Sequence, residues 1–346
     1  MVNRLCILTA ALSVVLLLQK QPKAQELTFS TMCDASAGIA LDDQHFVAVN
    51  DEDNLLRIFR LDRTEPVFIQ DLSSMLGIAY DDKSPEADLE GAARLGEVIY
   101  FISSHGRDKE GRLRKNRHRF FALRIERRGD DFSVQPFGKP YSRLLDDLIA
   151  DPVSRRTGLK EAYQPQKKRD DQLRPKKRGV NIEGLAAGSD GKSLLIGFRN
   201  PRPKGKALLV PLLNPERVLL YGEAARFGAP IVLDLGGLGI RSLERRGEKG
   251  CLLIIAGGVE ESKDSALFVL DDLSLATRRV DTIAIPRDWT PESLFFYPDG
   301  RWQILSDDGT VPVHNSLGSI CPCKEADEPR TKTFRSLILA DDPCRN

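Results

Sequence analysis

The sequence predicts an all-β protein, a β-propeller of five blades, from three observations. A short phrase recurs five times: DASAGIA from Asp34, DLEGAA from Asp88, NIEGLA from Asn181, GIRSLE from Gly239 and TPESLF from Thr290. Each phrase is followed by a turn and an apolar strand that ends in a polar cluster, as in HFVAVNDED from His45 and KSLLIGFRN from Lys192. The unit repeats at roughly fifty residues, the period at which one supersecondary unit stacks on the next as a blade.

Within each unit, further short β-like runs bring the number of strands to four. The first unit continues with LLRIFRL from Leu55 and PVFIQDL from Pro66, the second with HRFFALRI from His118 and FSVQPFG from Phe132. ALLVPLL from Ala207 and APIVLDL from Ala229 complete the third, and ALFVLDD from Ala266 and RRVDTIAI from Arg278 the fourth. Gly, Asp and Pro turns bound these runs. The fifth unit has SLILADD from Ser336 but no fourth strand of its own. ELTFST from Glu26 precedes the first unit and fits that vacancy, closing the ring and removing a sheet edge.

Measured from Ser36 through Glu90, Glu183 and Arg241 to Glu292, the spacings are 54, 93, 58 and 51 residues. The excess falls in an insertion at 141–179. There YSRLLDDLIAD places Leu144, Leu145, Leu148 and Ile149 on one helical stripe, and a Lys/Arg-rich stretch with Pro165 and Pro175 follows. A short amphipathic helix and a mobile basic loop fit this pattern, with a degenerate sixth blade as the alternative.

Met1 to Ala24 reads as an export signal: Arg4, then a fourteen-residue apolar run from Leu5 to Leu18, then Ala24. Lys20 and Lys23 leave an uncleaved anchor as the alternative, and Cys6 lacks the small-residue context of a lipoprotein cysteine. The expected mature chain is one propeller domain, 25–346, in a periplasmic or secreted setting, with no stable membrane span after cleavage. It carries 48 Lys and Arg against 50 Asp and Glu, so overall charge points to no polyanionic partner. Two stretches are strongly basic, each with ten cations against three acids: Arg107–Arg128 and Ser154–Gly179. Neither is interleaved with aromatics in the manner of nucleic-acid readers, which excludes nucleic acid as the expected partner. A small anionic ligand or an anionic envelope component fits better.

Cys33, Cys251, Cys321, Cys323 and Cys344 are expected to form disulfides in an oxidising compartment. Cys321 and Cys323 enclose one proline and should each pair elsewhere. Cys33 and Cys344 lie near the two ends that a ring brings together, and Cys251 opens an apolar strand as a buried free thiol. A Cys-Pro-Cys zinc site lacks a second Cys or His pair at ligand distance.

In a propeller the start of each first strand and the end of each second strand lie at the same end of the channel. Glu90, Glu183 and Glu292 occupy matched positions there and form the candidate metal set, suited to Ca²⁺ or another hard divalent cation. The competing reading gives each a backbone or arginine partner. Arg107, Arg199, Asn200 and Arg241 are the candidate ligand-binding residues, since guanidinium groups clamp phosphate or carboxylate bidentately. His105, between Ser104 and Asp51 or Asp307, is the candidate general base, and the bland alternative is a hydrogen-bonding rim histidine. Ser103 and Ser104 lack the Gly-x-Ser-x-Gly elbow of a serine nucleophile.

DASAGIALDD with NDEDN, DLEGAA with SSHGR, NIEGLA with GFRNP and KALLVPLLNP, LGGLGIRSLE and LSDDG together resemble the bacterial domain-of-unknown-function family 3616. The resemblance runs from about Asp34 to Gly309; it implies a β-propeller and no established activity. More distantly, the Glu-Gly strand starts are similar to esterase-like phytase and gluconolactonase-type propellers, some of which bind a divalent metal with channel carboxylates. Only Glu90 and Glu183 match that dipeptide; Glu292 is followed by Ser293, and Arg241 stands in the fourth unit. Two functions follow: an exported binding module with a polar channel mouth, or a metal-assisted hydrolase of phosphoesters or lactones.

Overall fold

Five four-stranded antiparallel sheets stand in a ring in a computed structural model. It describes residues 24–79, 82–247, 250–259, 264–271, 274–281, 283, 285–341 and 343–344. The export signal falls on residues 1–23 and lies outside the described residues, apart from Ala24.

The first strand, β1 (Ala24–Ser30), is set aside for closure. Blade 1 follows with β2 (Ala37–Ala40), β3 (His45–Val49), β4 (Leu55–Arg60) and β5 (Phe68–Asp71), then the turn α1 (Ser73–Leu76). Blade 2 contains β6 (Leu89–Leu95), β7 (Val98–Ser103), β8 (Phe120–Arg128) and β9 (Asp131–Pro136). Two short helices, α2 (Leu144–Ala150) and α3 (Leu159–Tyr163), come next. Blade 3 is β10 (Asn181–Ala187), β11 (Leu194–Asn200), β12 (Ala207–Leu212), the helix α4 (Pro215–Tyr221) and β13 (Ile231–Leu233). Blade 4 is β14 (Gly239–Arg245), β15 (Leu252–Gly257), β16 (Ser265–Leu270) and β17 (Thr277–Arg279). Blade 5 has β18 (Pro291–Phe296) and β19 (Trp302–Ser306), a hairpin of β20 (Pro312–His314) and β21 (Ile320–Pro322), then β22 (Thr333–Leu339).

The innermost strands β2, β6, β10, β14 and β18 pack on one another around the axis, and β18 returns to β2. β1 supplies the fourth strand of blade 5, pairing antiparallel with β22 from Ala24↔Leu339 to Ser30↔Thr333. Residues from both ends of the chain thus share one sheet. In the described part of 141–179 the regular elements are helices rather than blade strands, so the ring has five blades, not six.

The apolar side chains of the blades separate into clusters between neighbouring sheets. This is what period-2 strands with two buried faces require: each face meets the next blade. At the closing interface Phe29 of β1 sits edge-on to Phe46 at 5.0 Å and stacks on Phe334 at 5.5 Å. Burial of each such ring contributes about 1.5–3 kcal/mol. The stripe on α2 is also used: Leu144, Leu145 and Leu148 are buried with Tyr141, Leu159 and Tyr163 against blades 2 and 3.

Disulfides join Cys33 to Cys323 and Cys251 to Cys344, and Cys321 is a free thiol. The pairing corrects two expectations, that Cys251 is a free thiol and that Cys321 pairs elsewhere; Cys323 does pair elsewhere, with Cys33. Cys251 immediately precedes β15 at the edge of the core between blades 4 and 5, where the segment after β22 passes. Cys33 lies beside the blade 5 excursion because the Asp308 amide bonds the Cys33 carbonyl at 2.8 Å.

Candidate functional site

Four of the five occurrences of the repeated phrase form a β-bulge, and the first, in blade 1, pairs without a slip. In blades 2 to 5 the register between first and second strands slips between Leu89 and Gly91, Ile182 and Gly184, Ile240 and Ser242, and Pro291 and Ser293. The residues skipped are Glu90, Glu183, Arg241 and Glu292. A bulge adds a residue with no partner on the neighbouring strand, bends the strand and re-aims the side chain. Small residues after the bulge admit the neighbouring blade: a Cβ at Gly91 would lie 3.0 Å from Leu185 Cβ, and Ser242 Oγ accepts the Leu294 amide at 3.1 Å. Leu89 pairs with Ser103, Asn181 with Asn200 and Pro291 with Ser306, so first-strand starts and second-strand ends share one mouth.

The three glutamates are not held alike. Glu183 Oε1 accepts from Arg199 Nη1 at 2.7 Å and from Asn181 Nδ2 at 2.6 Å. Glu292 is ion-paired with Arg241 from the adjacent blade. Gly257 clears the way for that arginine: a Cβ there would fall 2.6 Å from Arg241 Cδ. Burial raises the Glu292 pKa to about 7, against the pull of Arg241.

Glu90 instead joins Asp51 and Asp88. One carboxylate oxygen from each lies within 4.8 Å of the others; Asp88 is buried, while Asp51 and Glu90 are half-buried. Asp88 takes Arg117 Nη1 at 3.0 Å and the Ser104 hydroxyl. Asp34 is buried, and its Oδ1 has no hydrogen-bond partner. Burial, followed by the charge of Asp51, pushes the Asp34 carboxyl well above the usual range. Asp51 and Glu90 are raised too, first by burial and then by Asp88 and Glu183 respectively. Crowded carboxylates either take up protons or hold a cation. The predicted metal set is therefore split: Glu90 belongs to an oxygen-rich trio suited to a hard divalent ion, while Glu183 and Glu292 have their own arginines.

The remaining candidates fall in different places. Arg199 donates from Nε to the Gly258 carbonyl at 2.9 Å besides holding Glu183. Arg107 is buried away from the lumen and donates to the carbonyls of Gly111, Tyr163, Gln164 and Lys167 at 2.8–3.3 Å. Asn200 donates to the Gly179 carbonyl at 2.6 Å. Arg107 and Asn200 thus fasten the insertion. Asp307 accepts the Gly309 amide at 2.8 Å and adds to the charge on Asp34 and Asp51.

His105 is buried, its Nδ1 bonds the Ser103 carbonyl at 2.8 Å, and its Nε2 has no partner. Its ring faces His118, with centroids 5.2 Å apart, rather than Asp51 or Asp307. Burial, reinforced by His118, brings its pKa down to about 3, and burial with Arg119 brings His118 down to about 4. The backbone explains the turn of the ring: His105 has φ of 53°, an uncommon left-handed conformation for a non-glycine residue.

Residues 164–273 match the family described as "Protein of unknown function (DUF3616)". The stretch matched by DUF3616 holds Glu183, Arg199, Asn200 and Arg241, and Asp51, Asp88 and Glu90 lie before it. No curated protein matches the chain. Among solved structures, the chain is similar to a glutaminyl cyclase from Myxococcus xanthus at 12% identity, over 92% of this chain and 97% of that one, with a TM-score of 0.44. It is also similar to a putative oxidoreductase (glucose dehydrogenase) from Thermus thermophilus at 14% identity, over 91% and 99%, with a TM-score of 0.45.

Proposed function

We propose that this chain is an exported binding propeller whose channel mouth holds a hard divalent cation, such as Ca²⁺, and through it a small anionic ligand. The reading rests on one observation: Asp51, Asp88 and Glu90 bring three carboxylate oxygens within 4.8 Å, and the buried Asp34, whose Oδ1 has no partner, feels the charge of Asp51. A divalent ion would offset that charge and offer open coordination positions to a phosphate or carboxylate. Export is supported by the N-terminal apolar run and the two disulfides. No helix among the described residues is long and apolar enough to cross a membrane.

The binding module is favoured over a hydrolase of phosphoesters or lactones because His105, the imidazole proposed as general base, is turned toward His118. Metal analysis and calcium titration of the purified protein test the reading. One equivalent should bind, and free Ca²⁺ at a hundred times Kd should stabilise the fold by about 2.7 kcal/mol. Glu90→Gln and Asp51→Asn should abolish both effects, and Glu183→Gln should retain binding. Absence of stoichiometric metal and of stabilisation rejects the site. Turnover of a phosphoester or lactone that Glu90→Gln removes would put the hydrolase in its place.

A further inference from the structure

The first part of one basic stretch, 107–119, and the other, 154–179, fold against each other, while 120–128 runs into β8. The Leu113 amide bonds the Lys168 carbonyl at 3.0 Å, the Asp170 amide bonds the Gly111 carbonyl at 2.9 Å, and Arg112 bridges Arg169. Residues 107–119 and 154–179 together carry 17 Lys and Arg against 5 Asp and Glu, leaving 31 against 45 in the rest of 25–346. A nearly neutral chain is thus strongly divided, with its positive charge gathered beside a carboxylate-lined mouth.

Arg107 and Arg117 turn inward, but Lys115, Lys168, Lys176 and Arg178 are exposed and have no carboxylate partner among the described residues. The large apolar side chains exposed elsewhere on the protein are absent from both segments. The cavities at Asp264–Arg287 and Thr31–Arg330 lie away from this face. The face therefore offers charge, and none of its large apolar side chains is exposed.

We propose that this face docks the protein on an anionic phospholipid surface through its phosphate headgroups. A planar array of phosphates matches cations spread over loops, whereas a single-stranded nucleic acid would call for aromatic stacking. Docking of this kind is electrostatic and reversed by salt. It goes beyond the channel reading and is independent of it.

Co-sedimentation of the full chain with vesicles tests the proposal, comparing phosphatidylcholine alone with a mixture containing about a third phosphatidylglycerol. The N-terminal apolar run contributes to both, so the readout is the gain on anionic over neutral vesicles. That gain should be about tenfold or more in ~0.1 M NaCl and vanish in ~0.5 M. Lys168→Glu/Lys176→Glu/Arg178→Glu should remove it with the melting temperature unchanged, and Arg63→Glu/Lys139→Glu/Arg226→Glu, with the same change in net charge, should keep most of it. Equal binding to neutral vesicles, insensitivity to salt, or equal loss in both variants overturns the proposal. Tighter binding to soluble polyphosphate than to vesicles also overturns it, assigning the face to a soluble polyanion.

Discussion

Arg241 lies across Gly257, with its Cδ 2.6 Å from the position a Cβ would take, and ends on the Glu292 carboxylate of the next blade. Side-chain length, a missing methyl and a bulged strand together select this pair. Glu292 is thereby occupied and Glu90 is not.

Gly257→Ala should displace Arg241 and leave the half-buried Glu292 without its cation. Urea denaturation should show a loss of about 2–4 kcal/mol. In the Glu292→Gln background the same substitution should cost less, with a coupling of at least about 0.5 kcal/mol. Strict additivity would separate the glycine from the ion pair.

Arg107→Ala should release the insertion locally. Its guanidinium holds the carbonyls of Tyr163, Gln164 and Lys167, and charged hydrogen bonds of this kind contribute about 1.5–3 kcal/mol. Hydrogen exchange should accelerate across 163–168 while the strands of blades 4 and 5 keep their protection. Unchanged exchange in that segment would refute the fastening role.

Acid should destabilise the fold through His105 and His118. Both pKa values are depressed in the folded state, to about 3 and about 4, so the unfolded chain binds more protons below its ordinary histidine pKa of about 6.5. Stability from neutral histidines is present above pH 6.5 and is lost as pH falls from there toward 4, by up to about 1.4 kcal/mol per unit per group. The His105→Asn/His118→Gln variant should show a shallower acid limb than the wild type. Parallel stability–pH curves would remove the histidines as its cause.

Removal of the Cys33–Cys323 bond, which links residues 290 apart in sequence, should cost about 2–5 kcal/mol. Thermal unfolding of Cys33→Ala/Cys323→Ala gives the figure. Alkylation of the folded protein followed by peptide mapping should label Cys321 and spare Cys33, Cys251, Cys323 and Cys344. Labelling of Cys251 would contradict the pairing.

The blades were legible because their signals are local: alternating strands, turn residues and a repeated phrase that marks the bulge. Closure by β1 was legible because the fifth unit lacked a strand and the chain had one spare. The partners at the mouth were less so. Glu183 meets Arg199 within one blade, whereas Glu292 meets Arg241 across two, and the register between blades has no short-range signal. Asp88 lies two residues before Glu90 on the same strand start, a D-x-E spacing that flags the trio, but Asp51 joins from another blade. His105 turns toward His118 on a left-handed backbone, a conformation that histidine adopts more readily than most residues but that its side-chain type alone does not dictate. The basic loop, expected to be mobile, is tied down by carbonyls from Tyr163 to Gly179 that any sequence would supply.

β1 and its partner β22 are separated by almost the whole described chain, from Ala24 to Leu339. During synthesis at about 5–20 residues per second, the first strand therefore waits roughly 15–60 s for its mate. Throughout that interval β1 has no sheet to join and Phe29 has no Phe334 to cover it. A chaperone that shields one short apolar segment would have a defined client here, and its release would be timed by the arrival of the last blade.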